Sequence, residues 1–134
     1  MTESDLRRVT VSQERLEQYQ RLNQNAAWVD FCDRTQLELL GRDRQRFLHN
    51  LCTNDIVRLQ PGQGCEAFAT NVQGKCLGHI FVFVAEQSVI VETAPDQAEA
   101  LLAHWDRYLI TEDVQMHDRS QDWAELLVAG PRVV

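Results

Sequence analysis

Four histidines (His49, His79, His104, His117) and four cysteines (Cys32, Cys52, Cys65, Cys76) have the widest chemical range in this 134-residue chain. An imidazole can move a proton near neutral pH or ligate a metal, and a thiolate can attack carbon or bind a metal. Their spacing removes most of these options. No cysteines form a Cys-x-x-Cys pair, and the histidines do not pair at the three-to-five-residue spacing of a zinc site. His104 falls on the polar side of a helical stretch, away from its apolar stripe. Cys52 follows a helix end and Cys76 lies in a strand, where a thiol packs as a small hydrophobe. Gly-x-Ser-x-Gly, phosphate-binding and dinucleotide-binding glycine motifs are absent. His79 remains, in a strand just after a hairpin turn. It reads either as a half-buried strand histidine or as a pocket-lining proton shuttle.

The element that must position His79 is the stretch from Gly64 to Val84. Two β-prone runs flank Asn71–Lys75, where Asn71 and Gly74 favour a tight reversal. A third run, Ser88–Thr93, makes a three-stranded antiparallel meander. Strand periodicity puts neighbouring residues on opposite faces, so the register decides whether His79 or Gly78 faces a cavity.

The other elements pack on this meander. A short, sparsely apolar helix to about Gln24 starts either at Thr10 with Gln13 or at Ser12 with Glu14. Ala26–Cys32 and Arg34–Leu40 look extended, the second by alternation of Thr35, Leu37 and Leu39 with Gln36 and Glu38. Asp43 opens a helix over Arg44–Leu51 that buries Phe47, Leu48 and Leu51. Arg42, Arg44 and Arg46 read as its solvated side. Thr93 is the expected cap of a second helix, whose apolar stripe runs from Ala98 through Trp105 to Leu109. Strands follow at Val114–Met116 and Trp123–Ala129. The expected fold class is α+β, an antiparallel sheet with helices on one face.

A net charge of −7 opposes a general DNA-binding or membrane-surface role. Apolar runs stop short of the roughly 20 residues of a membrane span. With a polar start and no paired cysteine motif, the expected setting is cytoplasmic, with free and mostly buried thiols.

The run Leu39-Leu-Gly-Arg-Asp43 through Phe47-Leu48 to Thr53-Asn54-Asp55-Ile56 resembles the opening of the aminomethyltransferase (glycine-cleavage T-protein) and YgfZ folate-binding family. The likeness continues through Leu59-Gln-Pro-Gly62, Asn71-Val-Gln-Gly-Lys75, Tyr108-Leu-Ile110, Asp113-Val114 and the Leu-Leu-Val-Ala-Gly-Pro131 end. It implies the first ferredoxin-like repeat of a folate-binding domain over residues 26–134, preceded by a tail and short helix over residues 1–25. It also implies tetrahydrofolate as the bound small molecule. On the family's frame a catalytic aspartate falls at His79, and pocket tyrosines are replaced by Glu66 and Phe83. Asn54 and Asp55 of the Thr-Asn-Asp motif join His79, Glu66 and Phe83 as expected folate-binding residues.

The missing aspartate points away from aminomethyl transfer and toward the YgfZ branch, linked to iron–sulfur protein maintenance and tRNA modification. Whether the chain is an enzyme stays open. A lone first repeat would leave strand edges and an apolar face uncovered. Hence the third expectation is an interaction-only half-domain that forms a homodimer.

Overall fold

A computed structural model describes residues 11–133. The elements are α1 (Gln13–Gln24), β1 (Ala27–Asp30), β2 (Thr35–Leu40), α2 (Arg44–His49), β3 (Gly64–Thr70), β4 (Cys76–Val84), β5 (Val89–Thr93), α3 (Ala98–Asp106), β6 (Gln115–Asp118) and β7 (Leu126–Ala129). They form two compact units, Phe31–Glu125 and Met1–Asp30 with Leu126–Val134, the latter described from Val11 to Val133.

The larger unit is α+β, as expected. Its five-stranded antiparallel sheet has the order β3-β4-β5-β2-β6, so the meander forms one side and β2 inserts between β5 and β6. One sheet face carries Ala67, Ile80, Val82, Val91, Leu37 and Leu39. With Phe47 and Leu48 of α2 and Leu101 and Trp105 of α3, these make the core. Leu37, Leu39, Ile80, Val82, Val91 and Trp105 are fully enclosed. Burial of such side chains contributes about 1.5–3 kcal/mol each, which is what fixes both helices to this face.

Local chemistry moves several expected boundaries. Thr93 is not a helix cap: it ends β5, fully buried, and its hydroxyl donates to the His79 carbonyl (2.6 Å). The chain needs residues 94–97 to leave the sheet, so α3 starts at Ala98, after Asp96 at φ 61°. It ends at Asp106, where Tyr108 and Leu109 turn back onto the carbonyls of Trp105 and Asp106. Helix α2 likewise ends at His49. Asp43 precedes α2 without a side-chain cap; its carboxylate instead accepts from the Asp113 N–H (3.0 Å).

The arginine trio is also split. Arg42 and Arg46 are exposed, but the Arg44 guanidinium donates to the carbonyls of Gly41 (2.7 Å) and Glu86 (3.0 Å). The cysteines are less buried than expected. Cys32 and Cys76 are exposed; Cys52 and Cys65 are half-buried.

In the smaller unit, Ser12 caps α1 by accepting from the Arg15 N–H (3.3 Å). The alternative start at Thr10 and the expected tail lie outside the described residues. Helix α1 buries no side chain, and β1 pairs antiparallel with β7 from Ala27↔Ala129 to Asp30↔Leu126.

Two glycines separate tight from open sites. Gly41 has φ +100°, and a β-carbon there would stand 2.1 Å from the Asp113 carbonyl oxygen. Gly78 points to the core with ordinary clearance, 3.8 Å from Leu101 and Thr93 atoms. Gly41→Ala should therefore lower unfolding stability by about 2–4 kcal/mol, against less than about 1 kcal/mol for Gly78→Ala. Urea denaturation monitored by circular dichroism measures both; equal losses would contradict this geometry.

Candidate functional site

The sheet face opposite the helices carries the side chains that the core alternation leaves over. On β4 these are His79, Phe81 and Phe83; cross-strand partners add Phe68 and Glu66 from β3 and Ile90 and Glu92 from β5. Gln36 of β2 continues the Glu66–Phe81–Glu92 row. His79 therefore faces outward, and Gly78 inward.

That outcome depends on a one-residue register shift. Near the turn Thr70 pairs with Cys76, but Ala69 pairs with Gly78, so Leu77 is the extra residue of β4. Had the turn's register continued, Ala67 would oppose His79 and the imidazole would point into the core. Such bulges re-aim side chains in this way.

His79 Nε2 lies 2.6 Å from Glu66 Oε1, and its ring packs between Phe68 (5.1 Å between centroids) and Phe81 (4.9 Å). An ionised carboxylate can only accept, so Nε2 is the donor in this hydrogen bond. The pair is open to solvent, with His79 41% and Glu66 63% exposed, so its contribution to stability is small. It is a histidine–carboxylate dyad between two aromatic rings, suited to holding or passing a proton on a bound ligand.

The Thr-Asn-Asp motif serves this face indirectly. Thr53 exchanges two hydrogen bonds with Phe68, its N–H to the carbonyl (3.0 Å) and its hydroxyl from the N–H (2.9 Å). Asn54 Nδ2 donates to the Glu66 carbonyl (2.7 Å), and Cys52 bridges to Ala69. Residues 52–54 thus close the outer edge of β3 and hold Glu66 in place. Asp55 is engaged elsewhere, by Arg58 (2.9 Å) and His49 (3.5 Å). Phe83, 48% exposed, lines a separate part of the face beside Ile90.

Sequence reading missed a second cluster there. Gln36 and Glu92 are both over nine-tenths buried. Arg34 is ion-paired with Glu92, and Gln36 Nε2 donates to Glu125 Oε2 (2.8 Å). Burial pushes the Glu125 carboxyl above its ordinary range; nearby Glu92 adds to this, while the Gln36 bond and Arg34 oppose it. Trp123, Ala124 and Glu125 join Phe83 and Ile90 around a cleft of about 320 Å³. Strand alternation could have placed Gln36 and Glu92 on this face. Nothing in the pattern showed that residues 123–125 fold over them.

Among the described residues no group of histidine, cysteine or acidic side chains could hold a metal ion. No described helix is long and apolar enough to cross a membrane.

The profile of the GCVT N-terminal domain matches residues 7–134. The chain belongs to this family. It is 25% identical over 114 residues to the aminomethyltransferase of Rubrobacter xylanophilus, covering 85% of this chain and 31% of that protein. To the mitochondrial aminomethyltransferase of Gallus gallus it is 34% identical over 67 residues, 50% of this chain and 17% of that one. The crystal structure of the glycine cleavage system aminomethyltransferase T from Bartonella henselae superposes with a TM-score of 0.75 at 18% identity. That match covers 87% of this chain and 32% of the other, and shows a shared fold. The chain spans about a third of the length of that aminomethyltransferase and of the Rubrobacter protein. Within the GCVT N-terminal domain, the open sheet face described here is the candidate site.

A raised carboxyl favours the protonated form in the folded state. Its stability contribution is present below the ordinary carboxylate range and is lost as pH rises through the raised value. Glu125→Gln should therefore raise the melting temperature near neutral pH, with the gain vanishing in acid. Thermal scans across that window measure this; a gain independent of pH would contradict it.

Proposed function

We propose that this chain binds tetrahydrofolate or a one-carbon derivative on the open sheet face, with His79 and Glu66 beside the reacting part of the ligand. Membership of an aminomethyltransferase-type folate-binding family supports the ligand class. The observation that carries the site is the His79–Glu66 dyad between Phe68 and Phe81. Flat rings suit a conjugated ligand, and the dyad offers both a proton carrier and a negative charge.

The resemblance places an aspartate where His79 stands, which favours folate binding without aminomethyl transfer, in a YgfZ-type role supporting iron–sulfur protein maintenance or tRNA modification. Four cysteines without a disulfide suit a reducing, cytoplasmic setting for that role. Glu66 also favours a second reading. Its carboxylate reaches His79 from the neighbouring strand, so the face does hold an anion that could stabilise a developing cationic methylene-folate. Aminomethyl transfer to tetrahydrofolate is the activity this reading implies.

Calorimetric titration with 5-formyltetrahydrofolate should give saturable binding, weakened about tenfold or more in His79→Ala. The melting temperature of His79→Ala should stay close to that of the parent, because the side chain is partly exposed and its ion pair weak. No saturation at millimolar ligand would remove folate from the account. A large fall in melting temperature with unchanged affinity would make His79 structural. Release of ammonia and methylene-tetrahydrofolate from an aminomethyl-lipoyl carrier would decide for transfer.

An interaction role as a homodimer rests on the smaller unit. Trp28, Val29, Leu126 and Val128 of its two-stranded sheet are half or more exposed, and two strands alone are marginally stable. Light scattering should then show a dimer; a monodisperse 15.5 kDa species at high concentration would contradict it.

A further inference from the structure

Glu66 and His79 are not directly opposed. His79 pairs with Phe68 and Glu66 with Phe81, so the dyad joins diagonal neighbours on β3 and β4. Diagonal residues of an antiparallel pair stand roughly 7–8 Å apart. The 2.6 Å contact between these two side chains therefore depends on how far β3 has slid along β4. One residue of strand rises about 3.3 Å, so a slide of a fraction of a residue breaks the contact. The ladder fixes that slide poorly here. β3 is an edge strand, and the extra residue at Leu77 interrupts its pairing with β4 just before Gly78 and His79.

Each member of the dyad is tied through its main-chain carbonyl by a side chain from another segment. On the β5 side the ladder stops at Ile80↔Thr93, and Ala94 and Pro95 lead the chain away. The His79 carbonyl takes its donor from the hydroxyl of fully buried Thr93 (2.6 Å). A buried carbonyl without that donor would cost the fold an unmade hydrogen bond. Beyond the outer edge of β3, Asn54 Nδ2 donates to the Glu66 carbonyl (2.7 Å), while Asn54 Oδ1 accepts from the Asp55 N–H (2.8 Å). Both ends of the amide are engaged, which fixes its orientation. Both ties are to backbone, and they leave the imidazole and the carboxylate to meet each other.

We propose that Thr93 and Asn54 are positioning residues for the dyad. Thr93 holds His79 from the core side, Asn54 holds Glu66 from the sheet edge, and together they set the separation at which Nε2 donates to the carboxylate. The proposal rests on the reading of the dyad as part of the binding face. It assigns Asn54, expected from the sequence to contact the ligand, an action through Glu66 instead.

The test follows the imidazole cross-peaks of His79 by heteronuclear NMR in the ligand-free whole chain, where the Phe68 and Phe81 rings make them sensitive to small displacements. Thr93→Val removes the hydroxyl at nearly constant volume and should displace these peaks. Thr93→Ser keeps the hydroxyl and should hold them at the parent position, although it gives up a buried methyl. If Thr93→Ser moves the peaks as far as Thr93→Val, Thr93 only packs and the proposal is wrong. Asn54→Ala and Asn54→Asp, of which only the second keeps the acceptor for Asp55, should displace the peaks alike. Affinity for 5-formyltetrahydrofolate should fall about three- to tenfold in Thr93→Val and in Asn54→Asp. Combined with Glu66→Gln, Asn54→Asp should cost nothing beyond Glu66→Gln alone; fully additive losses would overturn an action through Glu66. If the parent does not bind 5-formyltetrahydrofolate but the cross-peaks respond as stated, the folate reading falls and the positioning stands.

Discussion

The geometry of this domain depends on how β4 is registered against β3. The turn at Asn71–Lys75 sets a first register: the Asn71 side chain accepts from the N–H groups of Gln73 (3.0 Å) and Lys75 (2.9 Å), and Gly74 takes φ +76°. The extra residue at Leu77 then shifts it by one. Past that point Gly78, Ile80, Val82 and Val84 face the helices, and His79, Phe81 and Phe83 face away. The hydrophobic effect enforces this choice, because Ile80 and Val82 are fully enclosed and would otherwise lie exposed. The Thr93 hydroxyl on the His79 carbonyl pins the same point. The chemistry of the open face follows from a packing requirement on its other side.

Two features divide that face. At the β3–β4 end the His79–Glu66 dyad is solvent-exposed, flanked by aromatic rings and supported from behind by Asn54. Toward β2, Gln36 and Glu92 lie in a shallow cleft lined also by Trp123 and Glu125, with Arg34 paired to Glu92. Water screens the first, so it adds little to stability. The second is desolvated enough to raise the Glu125 carboxyl, the mark of a polar group kept at some cost to folding.

Much of this was legible in the sequence. Strand alternation gave the meander and the inward Leu37 and Leu39, and the helical spacing of Ala98, Leu101 and Trp105 gave the face of α3. The family likeness, carried by motifs in order along the chain, agrees with the matched profile and fold. The limits were equally physical. Hairpin chemistry at Asn71 and Gly74 predicts a turn but not the added residue at Leu77, since Leu77 suits either register. Thr93 has the residue type of a helix cap, yet a tertiary bond to His79 outweighs the local preference. Asn54 and Asp55 stood out for their motif, and their bonds run to the Glu66 backbone and to Arg58 and His49. Glu125 carried no signal, because its environment is made by chain segments about 90 residues apart in sequence.

The central claim is that the helix-free face binds the ligand. Backbone amide chemical shifts, followed by heteronuclear NMR during titration with 5-formyltetrahydrofolate, test it most directly. The account predicts shifts concentrated at Glu66, Phe68, His79, Phe81 and Phe83 and extending to Gln36 and Glu125, with Leu101, His104 and Phe47 unmoved. Shifts centred on α2 and α3, or none at saturating ligand, would contradict it.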